Sequence, residues 1–275
     1  MSPTEIDLPA ALPARRARRP RPFAARHLGF VTIAALLGVW WLASALQLVP
    51  ELFLPSPLSV FEKFRDVLTD GFADATLAEH LGASLARIAA ALAAAILTAV
   101  PVGMAMGLWP VARGLIDPVI ELYRPIPPLA YLPLIVIWFG IGETAKVIVI
   151  YLAAFAPIAI ATAAGVRGVP PERINAARSF GASRRQLVAL VVLPSALPDI
   201  LTGIRIGLGT GWSTLVAAEL IAATRGLGFM IQSAAQFLVT DVVVMGILVI
   251  AAVAFALELL VRLAERIFVP WRDRL

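Results

Sequence analysis

Long runs with few or no charges recur along the chain: Leu28–Pro50, Ile88–Ala112, Pro125–Gly142, Val147–Val166, Ile206–Thr224 interrupted by Glu219, and Val242–Val261 interrupted by Glu258. An α-helix rising roughly 1.5 Å per residue needs about 20 apolar residues to cross a hydrocarbon layer about 30 Å thick. The pattern predicts an all-α integral membrane protein with six transmembrane helices. Between the first two spans, Pro55-Ser56-Pro57 leads into Val60, Phe61, Phe64 and Leu68 at helical spacing, with Glu62, Lys63, Arg65 and Asp66 at the other positions. That stripe predicts an amphipathic helix at the outer interface, packed on the bundle or, as a second reading, closing the substrate mouth as a lid. Gly103 with Gly107, and Gly203, Gly207 and Gly211, recur four apart and predict close helix approach inside one subunit, with a dimer seam or gate as the other use.

The polar segment between the fourth and fifth spans carries its own helical signals. Pro171 suits a first helical turn, and Ile174, Ala177 and Phe180 follow about one turn apart. Gly181 stands where a helix commonly ends in a left-handed residue, and Ser183 with Gln186 forms a capping box for a second helix, which Pro194 is expected to end. The result is a helix pair at the inner membrane face, with Arg178, Arg184 and Arg185 available to a partner or to lipid headgroups.

Composition sharpens this picture. Hydrophobic residues make up 60% of the 275 and charged residues only 15%, too apolar for a soluble domain. The net charge of +5 does not signal nucleic acid, because Lys and Arg cluster in the proposed inside segments: the tail before Leu28, Arg167 to Arg205, and the C-terminal end. Glu51, Glu62, Asp66, Asp70, Asp74 and Glu79 fall outside, so both termini are expected in the cytosol. Arg113 and Arg124 are read as an inside loop after the second span. Residues 1–27 read as a disordered Arg-rich cytosolic tail, 28–268 as the membrane domain with a cytosolic loop at 167–195, and 269–275 as a cytosolic end. Cysteine is absent and the histidines His27 and His80 are far apart, which leaves no thiol chemistry and no His-built metal site. No G-x-x-x-x-G-K-[ST] phosphate cradle occurs, and Lys63 and Lys146 both fall outside, so the chain is not itself an ATPase.

Asn175-Ala176-Ala177, three residues, Gly181, nine residues, Val191, one residue, Leu193-Pro194 resembles the EAA loop of ATP-binding-cassette importer permeases, with Asn175 in place of Glu and Val191 in place of Ile. Pro125-Ile126-Pro127-Pro128 through Trp138-Phe139-Gly140-Ile141-Gly142-Glu143, and Gly211-Trp212-Ser213 through Glu219 to Gly226-Leu227-Gly228, are similar to the sulfonate, nitrate and taurine permease family, nearest its taurine branch. The resemblance implies a type I importer permease of the bacterial inner membrane. It implies two permease copies (a homodimer), a cytosolic ATPase dimer holding ATP and Mg, and a periplasmic binding protein, with no cofactor on this chain. It makes Asn175, Ala176, Ala177, Phe180, Gly181, Ala182, Ser183, Leu193 and Pro194 the ATPase-coupling residues. The implied cargo is a small sulfonate, taurine first, with alkanesulfonate, nitrate or a related small anion as alternatives.

Charged groups inside spans are costly and so are candidates for function. Glu219 could face the pathway and pair with a substrate ammonium; the preferred reading puts it at the outer end of its span, reaching water or pairing with Arg225. Trp212 and Ser213 are the other pathway or gate candidates. Arg205 and Glu258 are expected to snorkel to the inner interface. An ion-coupled secondary transporter is the rival from another class and calls for carboxylate networks or inverted repeats. A membrane-embedded enzyme would need a His, Cys or paired-carboxylate constellation.

Overall fold

The computed structural model describes residues 22–270. Residues 1–21 and 271–275, with most of the expected N-terminal tail and the C-terminal end, lie outside the described residues. Two units divide at Val49. The first holds α1 (Pro22–Ala45), which begins six residues before the expected Leu28. Its 24 residues give about 36 Å of helix, enough to cross a bilayer.

The second unit opens with α2 (Pro57–Thr69), whose first turn Ser56 caps by accepting from the Ser59 amide at 3.0 Å. This is the expected amphipathic helix with a different inner face. Val60 and Val67 are buried, while Phe61 and Leu68 of the stripe are exposed, and the helix packs on the helices Thr240–Phe268 and Leu77–Leu108. Next comes α3 (Leu77–Leu108), started by a capping box in which Thr76 and Glu79 serve each other's backbone amides. It begins 11 residues before the expected Ile88, so its first three turns carry His80, Ser84 and Arg87.

The run expected to cross at Pro125–Gly142 is not one straight helix. α4 (Pro110–Tyr123) and α5 (Pro128–Phe139) meet at a 99° bend. Pro125, Pro127 and Pro128 lack amide donors, and a residue before proline is pushed towards extended backbone, so no helix can run through 124–127. At 12 residues α5 is about 18 Å long, too short to cross alone. Packing is ordered along the chain. Ile120 of α4 shares a buried cluster with Met106, Ala159 and Ala163, whereas Leu132 and Ile135 of α5 share one with Ala145 and Val149. The two halves therefore follow opposite halves of α6. The described residues contain five helices long and apolar enough to span, or six with the bent pair as one.

At the centre lies α6 (Glu143–Arg167), packed between α3 and α9. A Cβ on Gly103 would stand 2.5 Å from the Ala159 carbonyl, and one on Gly203 would stand 2.6 Å from the Ala161 Cβ. The glycine rows thus let α3 and α9 lie directly on α6, within the subunit. Then come α7 (Pro171–Ser179), α8 (Arg184–Gln186), a π-helical stretch over Leu187–Val192, and α9 (Leu193–Ala222). Pro194 does not end the second helix of the pair: it falls in the first turn of α9, where a missing amide costs little. The preceding π-turn, with the Leu193 amide donating to the Val188 carbonyl, leads the chain into it without a break. α10 (Leu227–Gln236) and α11 (Thr240–Phe268) complete the unit.

Candidate functional site

Polar groups that an apolar packing account does not require gather at the α7–α8 hairpin, in a cavity halfway along α6, and in an ion cluster at the far end from the hairpin.

The hairpin is anchored by two side chains. Ile174 and Leu187 pack against Val166, Val169, Val192, Ala196 and Ile200. Gly181 takes φ +80, the left-handed conformation that closes the turn, and Ser183 and Gln186 form the expected capping box. No residue of α7 is buried. Asn175, Ala176, Gly181 and Ser183 are exposed, Ala177, Ala182 and Pro194 are partly covered, and Leu193 is just exposed. Phe180, 92% exposed, projects a bare aromatic ring from the tip.

The cavity, of about 610 Å³, lies where α4 breaks from α5. Ala153, Ala156 and Pro157, midway along α6, line it opposite Ile206, Gly209 and Thr210, midway along α9. Pro157 cannot donate to the carbonyl one turn back, and the Thr210 hydroxyl reaches that freed Ala153 oxygen at 3.1 Å. Ser213 lines the cavity, but Trp212 beside it is buried and its indole nitrogen has no hydrogen-bond partner. Arg124, expected in an inside loop, instead stands at the break in the cavity wall with Tyr123 and Tyr131.

The ion cluster centres on Arg87, which is almost completely buried. Its Nη1 donates to Glu219 Oε1 at 2.6 Å and to the Arg225 carbonyl at 2.7 Å; Nε and Nη2 grip Glu143 at 2.5 and 2.8 Å. Lys146 Nζ donates to Glu143 at 2.8 Å, so two cations meet two carboxylates. Glu219, 0% exposed, neither reaches water nor pairs with the Arg225 guanidinium, which lies 3.8 Å from Glu79. It accepts instead from Arg87, from Ser84 Oγ at 2.8 Å and from the Gly228 amide at 2.9 Å. The start of α10 has no cap of its own, so α3 and α9 supply one. The Gly226 amide donates to His80 Nδ1 at 3.1 Å and the Leu227 amide to Ser84 Oγ at 3.0 Å. With Nδ1 accepting, His80 Nε2 donates to the Phe72 carbonyl at 2.9 Å. The charge of Glu219 also meets the positive end of α10. A Cβ on Gly226, at φ +133, would come within 2.5 Å of the Glu219 carboxylate oxygens, so only glycine lets the turn close over it.

His80, Ser84 and Arg87 are members of this cluster that sequence reasoning did not bring together. Their 0, 4, 7 spacing puts them on one helix face, a signal available beforehand. At the other end, Arg205 and Glu258 do not snorkel separately: Arg205 pairs with Glu258 at 3.6 Å and with Glu265. Among the described residues no cluster of three or more His, Cys, Asp or Glu could hold a metal.

Comparison with known proteins adds a lineage. The family described as binding-protein-dependent transport system inner membrane component matches residues 99–271. The chain is 62% identical to the taurine transport system permease protein TauC of Escherichia coli (strain K12), over 89% of each chain. It is 34% identical to a Bacillus subtilis (strain 168) chain described as an aliphatic sulfonates transport permease protein, SsuC, over 89% of this chain and 87% of that one. In fold it resembles a crystal structure of an amino acid ABC transporter, with TM-score 0.57 and 21% identity, over 78% of this chain and 97% of that one.

Proposed function

The chain belongs to the binding-protein-dependent transport system inner membrane components, and on that premise we propose that it is the permease subunit of an ATP-driven importer for a small sulfonate, taurine first. The TauC likeness supports the substrate. Alkanesulfonates remain the second reading, through the SsuC likeness. Membership in this family displaces the ion-coupled transporter.

The observation that carries the mechanism is the hairpin. It is tied to the ends of α6 and α9 by Ile174 and Leu187, yet offers Asn175, Ala176, Phe180 and Gly181 outward. A separate cytosolic ATPase dimer, holding ATP and Mg, docks there. Its closure pushes residues 171–194, and the π-turn passes that push into α9 without a hinge. The second permease copy is a homodimer partner, and a periplasmic binding protein delivers solute at the end that holds Arg87 and Glu219. Both termini lie in the cytosol, with α4 and α5 together making one broken crossing, as the ordered packing along α6 and the Arg-rich hairpin support.

The test pairs assembly with uptake. Cells lacking this chain should lose uptake of labelled taurine and regain it on complementation. Nothing stands within 4 Å of a Cβ on Gly181, so Gly181→Val strains only the backbone, by about 1–3 kcal/mol. That variant should accumulate in the membrane like wild type and retain little bound ATPase on co-purification. Wild-type uptake with a full complement of ATPase would show that 171–194 is not the coupling element.

A further inference from the structure

The arginine at the α4–α5 break is exposed beside the cavity, and the fold gives it no counter-charge. Arg87 has two carboxylates and Arg205 has two; among the described residues no carboxylate pairs with Arg124. An arginine without a counter-charge on the wall of a cavity between spanning helices is a candidate contact for a ligand. The polar groups around it are neutral hydroxyls rather than carboxylates. The Tyr123 hydroxyl is buried with no hydrogen-bond partner among the described residues, and Tyr131 lines the cavity beside it. Thr210 and Ser213 add hydroxyls from the opposite wall, their protons already given to the Ala153 and Gly209 carbonyls and their lone pairs left over. α5 begins at Pro128 on this same wall with no side-chain cap, so the positive end of a half-helix faces the cavity. The volume of about 610 Å³ is in the range of small-molecule sites.

We propose that this cavity is a binding station on the transport path for a small organic sulfonate, with Arg124 as the group that grips the sulfonate and Tyr123 and Tyr131 as donors beside it. The inference rests on sulfonate import as proposed above. A guanidinium fork takes oxyanions with two parallel hydrogen bonds, and a sulfonate stays ionised at any physiological pH, so the match holds without a proton step. Arg124 is the one charged residue lining the cavity among the described residues, so the walls as a whole favour an anion over a cation. The ammonium of taurine is therefore left towards the open side, and sulfonates without an amine fit equally well.

The absence of native cysteine allows a test that does not depend on which solute is carried. In membranes holding the permease–ATPase complex, Ser213→Cys is labelled with an anionic sulfonatoethyl methanethiosulfonate and with a cationic trimethylammonioethyl methanethiosulfonate, and modification of this chain is read by mass. Adding Arg124→Gln should lower the anionic-to-cationic rate ratio by roughly tenfold, as expected for loss of a focusing charge in a low-dielectric cleft. An unchanged ratio overturns the inference. Labelled taurine uptake forms the second arm: Arg124→Gln should lose at least about tenfold, the worth of a charged hydrogen bond, while the Arg124→Lys variant keeps a larger share. Uptake within twofold of wild type for Arg124→Gln also overturns it. Should wild type carry no sulfonate while the labelling ratio still falls, the anion station stands and the sulfonate import reading is what fails.

Discussion

Arg87 and Arg124 lie in the same bundle under opposite conditions. Arg87 is walled in at one end by Glu219, Glu143 and the Arg225 carbonyl, and every hydrogen bond it makes ties α3 to α6, α9 or the start of α10. Arg124 stands at a helix break, beside a cavity, with no carboxylate partner among the described residues. The first is spent on structure, because its partners belong to the chain. The second is left for a partner that the chain does not contain. Burial alone would have ranked them the other way, since the more deeply buried charge is the conventional functional suspect. What separates them is whether the local groups already satisfy the charge.

That contrast breaks most readily at Glu219. Glu219→Ala leaves Arg87 short of a buried partner and opens the caps on Gly228 and Ser84, and should cost about 3–5 kcal/mol. Thermal unfolding of the detergent-solubilised complex reads it, and a melting curve like wild type would show that the cluster is not structural. Changing both members, Arg87→Met with Glu219→Leu, should recover part of that loss, because no charge is then stranded.

Gly226→Ala tests the lid over the same carboxylate. A methyl group there meets the Glu219 oxygens at 2.5 Å on a backbone at φ +133, so a loss of about 1–3 kcal/mol is expected in the same assay. Equal stability would mean that the turn can open without disturbing the ion pair.

Within the cavity the effects on stability should be smaller. Thr210→Val strands the Ala153 carbonyl that Pro157 left free and should cost about 1 kcal/mol. At the small end, Arg124→Gln should leave the melting temperature unchanged or slightly raised, since it removes a charge that no carboxylate in the fold offsets. A drop as large as that of Glu219→Ala would place Arg124 in the framework with Arg87 and erase the distinction between them.

Much of this molecule is legible from residue order. Apolar runs mark the spanning helices because a bilayer admits few alternatives to a helix, and proline, glycine and the Ser183–Gln186 pair mark the hairpin because capping is local chemistry. Those local signals read the hairpin correctly up to Pro194, which they treat as a stop although a π-turn carries the chain through it. The broken crossing is half legible: the prolines at 125, 127 and 128 forbid a continuous helix, but hydropathy sees only an apolar run. The partners of Glu219 were beyond reach. Ser84 and Arg87 are more than 130 positions away, and which of several nearby cations a carboxylate meets depends on how α3, α6 and α9 rotate about one another. That rotation is set by where glycines let backbones touch, so it exists only once the helices are packed. Sequence alone therefore determined the helices and the hairpin, whose forces act within a few residues. Tertiary structure alone decided which charges are satisfied and which is left open, because electrostatic pairing is a property of distances that the chain acquires on folding.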